Sequence, residues 1–216
     1  MNDEIKLKIN ELAGELSEYE ENDDFKSYKV HPLMKEVIKL LDENQDEELS
    51  TPIYTYAAYD FIADKYTRLT RFSLAGEYEE KAIDLALKYF KSEGKVLDGF
   101  MGLFVRTMKH RNAFIDDDCE DLINRVKDAK IIRDEELTQA VTRTLAHRRT
   151  IKNDPVEMTK EYLDVIDEVE YLIEKNKTME GMGSCFEYWD LKQQYLAERG
   201  IYCRSPALLN PRMRFD

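Results

Sequence analysis

The sequence predicts an all-α protein built from stacked antiparallel helical hairpins. Hydrophobic residues make up 43% and charged residues 36% of the 216 positions, with only eight glycines and five prolines, a balance typical of helices with large exposed faces. Apolar residues recur three or four positions apart through most of the chain, which draws one apolar stripe along each helix. We therefore expect a single helical domain over 1–216, with hairpins over 1–179 and a capping helix and tail over 180–216.

About nine helices are expected from this spacing and from start and stop signals. Pro32 is expected to begin the second helix, because a proline at the first helical position loses only an amide that has no partner there. Ser184 and Glu187 have the spacing of a capping box and are expected to begin the ninth helix. The tail from Tyr202 contains two prolines, so we expect an extended segment that folds back over a groove. The predicted helices cover approximately residues 3–22, 32–42, 52–72, 77–93, 97–112, 116–129, 135–152, 155–173 and 185–199.

Hairpins of similar length are expected to repeat along the chain. Ile38, Ile83, Ile123 and Ile166 each follow another apolar residue, at intervals of about 40 to 45 residues, which is the range of two-helix solenoid repeats. A superhelix of stacked hairpins and an irregular helical bundle both fit this spacing.

One segment carries a resemblance to a known family. The sequence LAGEYEEKAIDLALKYF resembles the junction of a tetratricopeptide repeat, in which a small residue and a glycine end one helix and a tyrosine and a later alanine set the packing of the next. The resemblance implies a tight break at Ala75 and Gly76 and a tetratricopeptide-like superhelix. The end of the chain, with SPA, NP and a final FD, resembles that of some uncharacterised bacterial helical proteins, which implies no activity.

The charge and the cysteine content exclude several classes of function. A formal net charge of −13 argues against general binding to nucleic acid or to an anionic membrane, because long-range repulsion opposes both. The first helix is especially acidic, which fits either a solvated face or a docking surface for a basic partner. Three cysteines are too few for a disulfide framework or a four-cysteine zinc site. With no apolar run of signal-peptide or membrane-spanning length, we expect a cytoplasmic protein without a cofactor.

Two basic clusters near the carboxyl ends of two helices form a candidate anion site. Cations are favoured at that end of a helix dipole, so simple solvation is one interpretation. Because one reversing helix separates them, the two ends are expected to point the same way, which makes a joint site for a phosphate or an acidic peptide the other interpretation. The candidate residues are Arg106, His110, Arg143, His147 and Arg148, with Arg204 or Arg212 as possible additions from the tail.

An enzymatic function has a weaker basis. Glu15 with Glu18, and Glu161 with Asp164, are spaced for one helix face and slightly resemble the carboxylate pairs that hold magnesium in all-α nucleotide pyrophosphohydrolases, since hard cations take oxygen ligands. Cys185, at the predicted start of a helix, could have a reactive thiolate. We assign neither catalytic residues nor metal ligands.

The leading hypothesis is a non-catalytic scaffold that binds a peptide or protein segment in a groove between helices. Four aromatic residues of one helix are the candidate groove residues, because aromatic side chains dominate the energetics of both cores and interfaces. They are Tyr54, Tyr56, Tyr59 and Tyr66. An anion- or phosphate-ligand-binding module and a metal-dependent nucleotide hydrolase are the alternatives, and the oligomeric state is left open.

Overall fold

A computed structural model describes residues 2–44, 50–114, 119–146, 151–181 and 183–215. Over these residues the chain is helical and contains no β-strand, so the predicted all-α class is confirmed. The ten α-helices found there also agree with the expected number of about nine. Their bounds are α1 Asp3–Glu21, α2 Ser27–Asp42, α3 Pro52–Arg68, α4 Phe72–Glu93, α5 Phe100–Arg111, α6 Glu120–Ala129, α7 Asp134–Ala146, α8 Lys160–Asn176, α9 Ser184–Ala197 and α10 Pro206–Leu209, with a 3₁₀ helix at Pro155–Met158.

The helices group into two compact units. The first unit comprises Met1–Asn112 with Asp117–Arg148, and the second comprises Ala113–Asp116 with Arg149–Asp216. In the second unit α8 packs against α9, and apolar side chains of both helices share one small core. The expected single domain, with hairpins over 1–179 and a cap and tail over 180–216, stays a prediction.

The core of the first unit is centred on α3 and α4. These two helices pack along each other, α4 also contacts α5, and α1 pairs with α2. Tyr66 of α3 stacks on Tyr78 of α4, with ring centroids 5.7 Å apart. Burial of such large apolar side chains is the main source of stability in this unit. The bulkiest fully buried core residues of the unit are Tyr59, Phe100, Phe104, Leu16, Met34, Leu41, Ile62, Ile83, Leu85, Met108 and Leu122.

The break between α3 and α4 differs from the expected one. The backbone turns at Thr70, which has φ of 57°, and Gly76 lies inside α4. The amide of Arg71 donates to the carbonyl of Tyr66 at 2.8 Å, and that of Thr70 donates to Thr67 at 2.9 Å, the hydrogen-bond pattern of a Schellman motif. The break predicted at Ala75 and Gly76 is therefore wrong, and this segment does not form the helix junction that the tetratricopeptide resemblance implies.

Helix α2 starts before its proline rather than at it. It begins at Ser27, and Pro32 lies in its second turn. Ser27, Val30 and His31 are buried in this preceding turn, so packing extends the helix towards the amino terminus despite the hydrogen bond that a proline removes. The prediction that Pro32 begins the helix is wrong for this reason.

The second unit is built on α8 and α9, and the end of the chain is docked on it. Its core consists of Tyr162, Ile166, Val169, Ile173, Leu196 and Ile201. The side-chain amide of Asn210 donates to the carbonyls of Lys152 at 2.9 Å and Pro206 at 2.8 Å, and its oxygen accepts from the Lys152 amide at 2.8 Å. These bonds hold the tail back against the segment that precedes α8.

The start of α9 does not use the expected capping box. Gly183, with φ of 84°, is the residue before the helix, and no side chain caps it there. The carboxylate of Glu187 instead accepts the amides of Thr178 at 2.9 Å and Met179 at 2.6 Å. Glu187 therefore fixes the loop between α8 and α9 rather than its own helix start.

Candidate functional site

Helix α3 leaves one narrow face uncovered. Ile53, Ala57, Asp64 and Arg68 are exposed, and their spacing places them on one side of the helix. Ile53 is 63% exposed, although a β-branched apolar side chain gains free energy when it is buried. The remainder of α3 is half-buried or buried, so this stripe is the part of the helix that can meet another molecule.

A first hollow of about 720 Å³ borders the stripe. Its walls come from α3, from Tyr89 near the end of α4, from the loop 95–98 and from Arg106 of α5. Val96 in that loop is 48% exposed. The lining thus combines uncovered apolar side chains with a few charged groups.

Two glycines shape the loop that forms one wall of this hollow. Gly94 ends α4 and Gly99 precedes α5, with φ of 67° and 78° respectively. Glycine adopts this left-handed conformation without steric cost, and the amide of Gly94 donates to the carbonyl of Phe90 at 2.8 Å. The loop is therefore turned sharply at both ends and presents Val96 outward.

A second, smaller hollow of about 180 Å³ lies on the other side of the stripe. Residues from α1, α2 and α3 line it, and it shares Ala57 and Phe61 with the first hollow. We call the two hollows, with these two shared residues between them, the α3 groove. The other residues of the second hollow are Ile9, Asn10, Ala13, Val37, Tyr54 and Ala58.

The four tyrosines predicted as groove residues occupy different environments. Tyr59 and Tyr66 are only 1% and 3% exposed, so both are core residues that a ligand does not reach. Tyr56 lines the first hollow and Tyr54 lines the second. The Tyr54 hydroxyl donates to the Lys6 carbonyl at 3.1 Å, which ties α3 to α1 beside the groove.

Tyr56 is held in its neutral form at the edge of the first hollow. Burial is the main cause, and the neighbouring carboxylate of Asp60 adds to it, so the pKa of the phenol is raised to about 12 despite the opposing effect of Arg106. At neutral pH the group is therefore an un-ionised hydroxyl.

A cluster of ionisable side chains joins three helices, and two of its members, Asp60 and Arg106, line the first hollow. Arg106 of α5 donates to Asp60 of α3 and to Glu79 of α4. The second oxygen of Glu79 lies 2.9 Å from Nδ1 of His110, and the Glu79 side chain is fully buried. Phe72 stacks on the His110 ring, with centroids 5.3 Å apart. We call Asp60, Glu79, Arg106 and His110 the buried charge cluster.

The electrostatics of this cluster keep Arg106 charged and engaged. Burial on its own lowers the pKa of Arg106, but hydrogen bonds to Glu79 and Asp60 outweigh that effect, and the pKa is raised. Guanidinium–carboxylate hydrogen bonds of this kind are among the stronger polar contacts in proteins. Arg106 therefore links α5 to α3 and α4 beside the first hollow.

Only some of the residues predicted for the anion site lie in the part of the chain that the structure describes. Arg106 and His110, one turn apart on α5, already contact carboxylate oxygens within the first unit. Arg143 is exposed on α7, whereas His147 and Arg148 lie outside the described residues. Arg204 pairs with Asp154 of the second unit at 2.8 Å. Anion binding stays a prediction that rests on Arg143 and its neighbours in sequence.

The buried charge cluster was not foreseen from the sequence, although one signal for Glu79 was present. Glu79 lies four residues after Ala75 and four before Ile83, and both of these are fully buried. An acid in the middle of an apolar helix stripe needs a partner, because an unpaired buried charge is very costly. Its partners, from α3 and α5, could not be read from local spacing.

The carboxylate pairs considered for catalysis belong to different units of the chain. Glu15 with Glu18 belongs to the first unit, while Glu161 with Asp164 belongs to the second. In the part of the chain that the structure describes, no group of three or more His, Cys, Asp or Glu side chains is placed to hold a metal ion. Cys185 is half-buried in the first turn of α9.

Two further findings bear on the class of protein. None of the helices among the described residues is both long and apolar enough to cross a bilayer. Comparison with protein-family models, with curated proteins and with solved structures gave no match.

Proposed function

We propose that the protein is a non-catalytic helical scaffold that binds a segment of a partner protein in the α3 groove. The observation that carries the proposal is the pair of hollows on either side of α3 that share Ala57 and Phe61. Uncovered apolar side chains such as Ile53 and Val96 gain free energy when a partner removes them from water.

The groove favours a helical segment. The described part of the chain has no β-strand, so it offers no sheet edge to which an extended peptide could add. A surface between packed helices suits the apolar face of an amphipathic helix, whose anchoring side chains recur every three or four residues. The two hollows would each receive one or more of these anchors.

Ala57 is the point at which a bound helix comes nearest to the scaffold. It is the small residue between the two hollows, with Ile53 one turn before it and Phe61 one turn after it. A small side chain at a crossing point lets helices approach closely, while the larger neighbours supply the contact area.

A displayed library of helical peptides with randomised positions tests the proposal. The full-length protein is the target, and each selected peptide is then measured against Ala57→Arg. An arginine at this position projects over both hollows. We therefore expect the selected peptides to bind Ala57→Arg about tenfold or more weakly than they bind the unchanged protein.

The matched control is Ala197→Arg, which places the same side chain at an exposed position of α9 outside the groove. Selected peptides should bind this variant as well as they bind the unchanged protein. A library that yields no peptides, or only peptides indifferent to Ala57→Arg, overturns the proposal.

A further inference from the structure

We propose that the segment received by the α3 groove is a basic amphipathic helix, with lysine or arginine beside its apolar anchors. This inference rests on the proposed function and adds the chemistry of the partner. It follows from the charged groups that the groove presents and from those that the protein has already neutralised.

The first hollow presents three carboxylates, those of Asp60, Asp64 and Asp98. Asp98 is exposed and makes no ion pair with any described residue. Asp64 is 54% exposed and lies 3.7 Å from Lys65. Because Lys65 also contacts Glu20 at the shorter distance of 2.6 Å, Asp64 is only weakly neutralised.

The cations of the same hollow do not balance these acids. Arg106 is already held by Asp60 and by the buried Glu79, so its charge is directed into the protein. Lys95 is exposed in the loop and is the cation of the lining that remains outside the buried charge cluster. The lining therefore offers a partner two carboxylates, Asp64 and Asp98, and one ammonium group, that of Lys95.

The wider surroundings of the groove are also negative. Helix α1 forms part of the second hollow, and residues 3–24 contain nine Asp or Glu against Lys6 and Lys8. The whole chain carries a formal charge of −13. A field of this sign accelerates the approach of a cationic segment and repels an anionic one.

These features specify where the partner helix carries apolar and positively charged side chains. Apolar side chains enter the hollows on both sides of Ala57, and a positively charged side chain on the same helix reaches Asp64 or Asp98. The apolar contacts supply most of the affinity, while the charges select the partner and its orientation.

The peptide library described above, sequenced after selection, tests this inference. Peptides that bind the full-length protein and lose affinity for Ala57→Arg are expected to be enriched in lysine and arginine over aspartate and glutamate. Each is then measured against Asp64→Lys/Asp98→Lys, for which we expect about a tenfold rise in Kd, with weaker binding of the unchanged protein at high salt.

A charge-matched control is provided by Asp128→Lys/Asp190→Lys, which changes the net charge equally at exposed positions of α6 and α9 outside the groove. This control should raise the Kd of the peptides by less than the groove variant does, because it changes only the long-range electrostatic field.

The outcomes separate the two proposals. Some selected peptides will lose affinity for Ala57→Arg. If these peptides are not enriched in lysine and arginine and bind Asp64→Lys/Asp98→Lys (the groove reversal) as tightly as the unchanged protein, this inference is overturned and the scaffold function stands. Equal weakening by the groove reversal and by the control also overturns it, because the effect then belongs to the overall field. The absence of any peptide that depends on Ala57 overturns the scaffold function itself.

Discussion

The two units of the chain hold their buried charges in different ways. In the first unit, Glu79 is fully buried between helices and contacts Arg106 and His110 inside a large apolar core. In the second unit, Asp154 accepts the backbone amide of Arg204 at 2.9 Å and its Nε at 2.8 Å. One carboxylate thus joins packed helices, while the other tethers the end of the chain.

This difference indicates what each carboxylate stabilises. The core of the first unit draws on helices α1 to α7, whereas the second unit has a small core supplied mainly by α8 and α9. A small core contributes less hydrophobic free energy, so directed hydrogen bonds have to order the tail. We therefore expect damage to the first carboxylate to lower the stability of a whole unit, and damage to the second to release a segment.

The largest effect is expected for Glu79→Ala. Its removal leaves His110 without its carboxylate and Arg106 with Asp60 alone, and breaking a buried ion pair costs about 3–5 kcal/mol. Urea unfolding combined with hydrogen exchange resolved along the chain measures the loss and locates it in the first unit.

The neighbouring Glu80→Ala is the control. Glu80 contacts Arg125 at 3.1 Å with its side chain 35% exposed, so a loss of about 1 kcal/mol or less is expected. Equal losses for the two variants would contradict a central role for the buried charge cluster.

A smaller and more local effect is expected for Asp154→Ala. The substitution removes the acceptor for Arg204 and for the Val156 amide, and each lost hydrogen bond to a buried charged group costs about 1–3 kcal/mol. Faster hydrogen exchange at residues 201–215 and at the Val156 amide, with the first unit unchanged, is the expected result. Arg204→Ala keeps the backbone hydrogen bond to Asp154 and should increase hydrogen exchange less than Asp154→Ala does. A larger increase for Arg204→Ala would contradict the role of Asp154 as the tether of the tail.

Acidification should release the same tether to a lesser extent. Burial raises the pKa of Asp154, but its hydrogen bonds from Arg204 outweigh burial, and the pKa lies below the ordinary value of 3.8. A carboxyl whose pKa is depressed in the folded state contributes stability that is complete above its unfolded pKa and is lost as the pH falls through the folded pKa. The tail is therefore expected to loosen below about pH 4.

The only tryptophan of the chain reports this change. Trp189 packs edge to face against Phe215 of the tail, with centroids 5.1 Å apart. Its emission should shift towards the red as the pH falls in the unchanged protein, whereas Asp154→Asn should start from the shifted position and lack this transition. Identical titrations of the two proteins would exclude Asp154 as the responsible group.

The smallest effect on stability is expected for Ala57→Arg. Ala57 is exposed in the middle of α3, and surface substitutions in a helix usually change the free energy of unfolding by about 0.5 kcal/mol or less. A thermal unfolding midpoint close to that of the unchanged protein is expected. A large destabilisation would show that this position supports the core of the first unit and is not a free surface.

Much of the helical fold follows from local spacing, but its breaks depend on tertiary packing. The start of α3 at Pro52 and its extent to Arg68 lie close to the predicted 52–72. The end of α3 was missed because Thr70, and not a glycine, takes the left-handed conformation. Gly76 lies on the side of α4 that faces α5, since a Cβ added there would be 3.9 Å from the His110 Cβ, an ordinary van der Waals distance.

The candidate site was only partly predictable for a related reason. The sequence singled out Tyr54 and Tyr56, which line the two hollows, together with Tyr59 and Tyr66, which the core absorbs. An aromatic residue on a broad apolar helix suits both places, and only the neighbouring helices decide between them. Val96 in particular becomes part of the groove through the loop between Gly94 and Gly99, which no helical periodicity describes.

The most direct measurement of the central claim is amide chemical-shift mapping of the full-length protein as a selected helical peptide is added. We expect the largest shifts on residues of the two hollows, around Ile53, Ala57, Phe61 and Val96, and we expect Ala57→Arg to abolish them at the same peptide concentration. Shifts centred on other surfaces, or shifts that persist unchanged in Ala57→Arg, would contradict the claim that the α3 groove is the binding site.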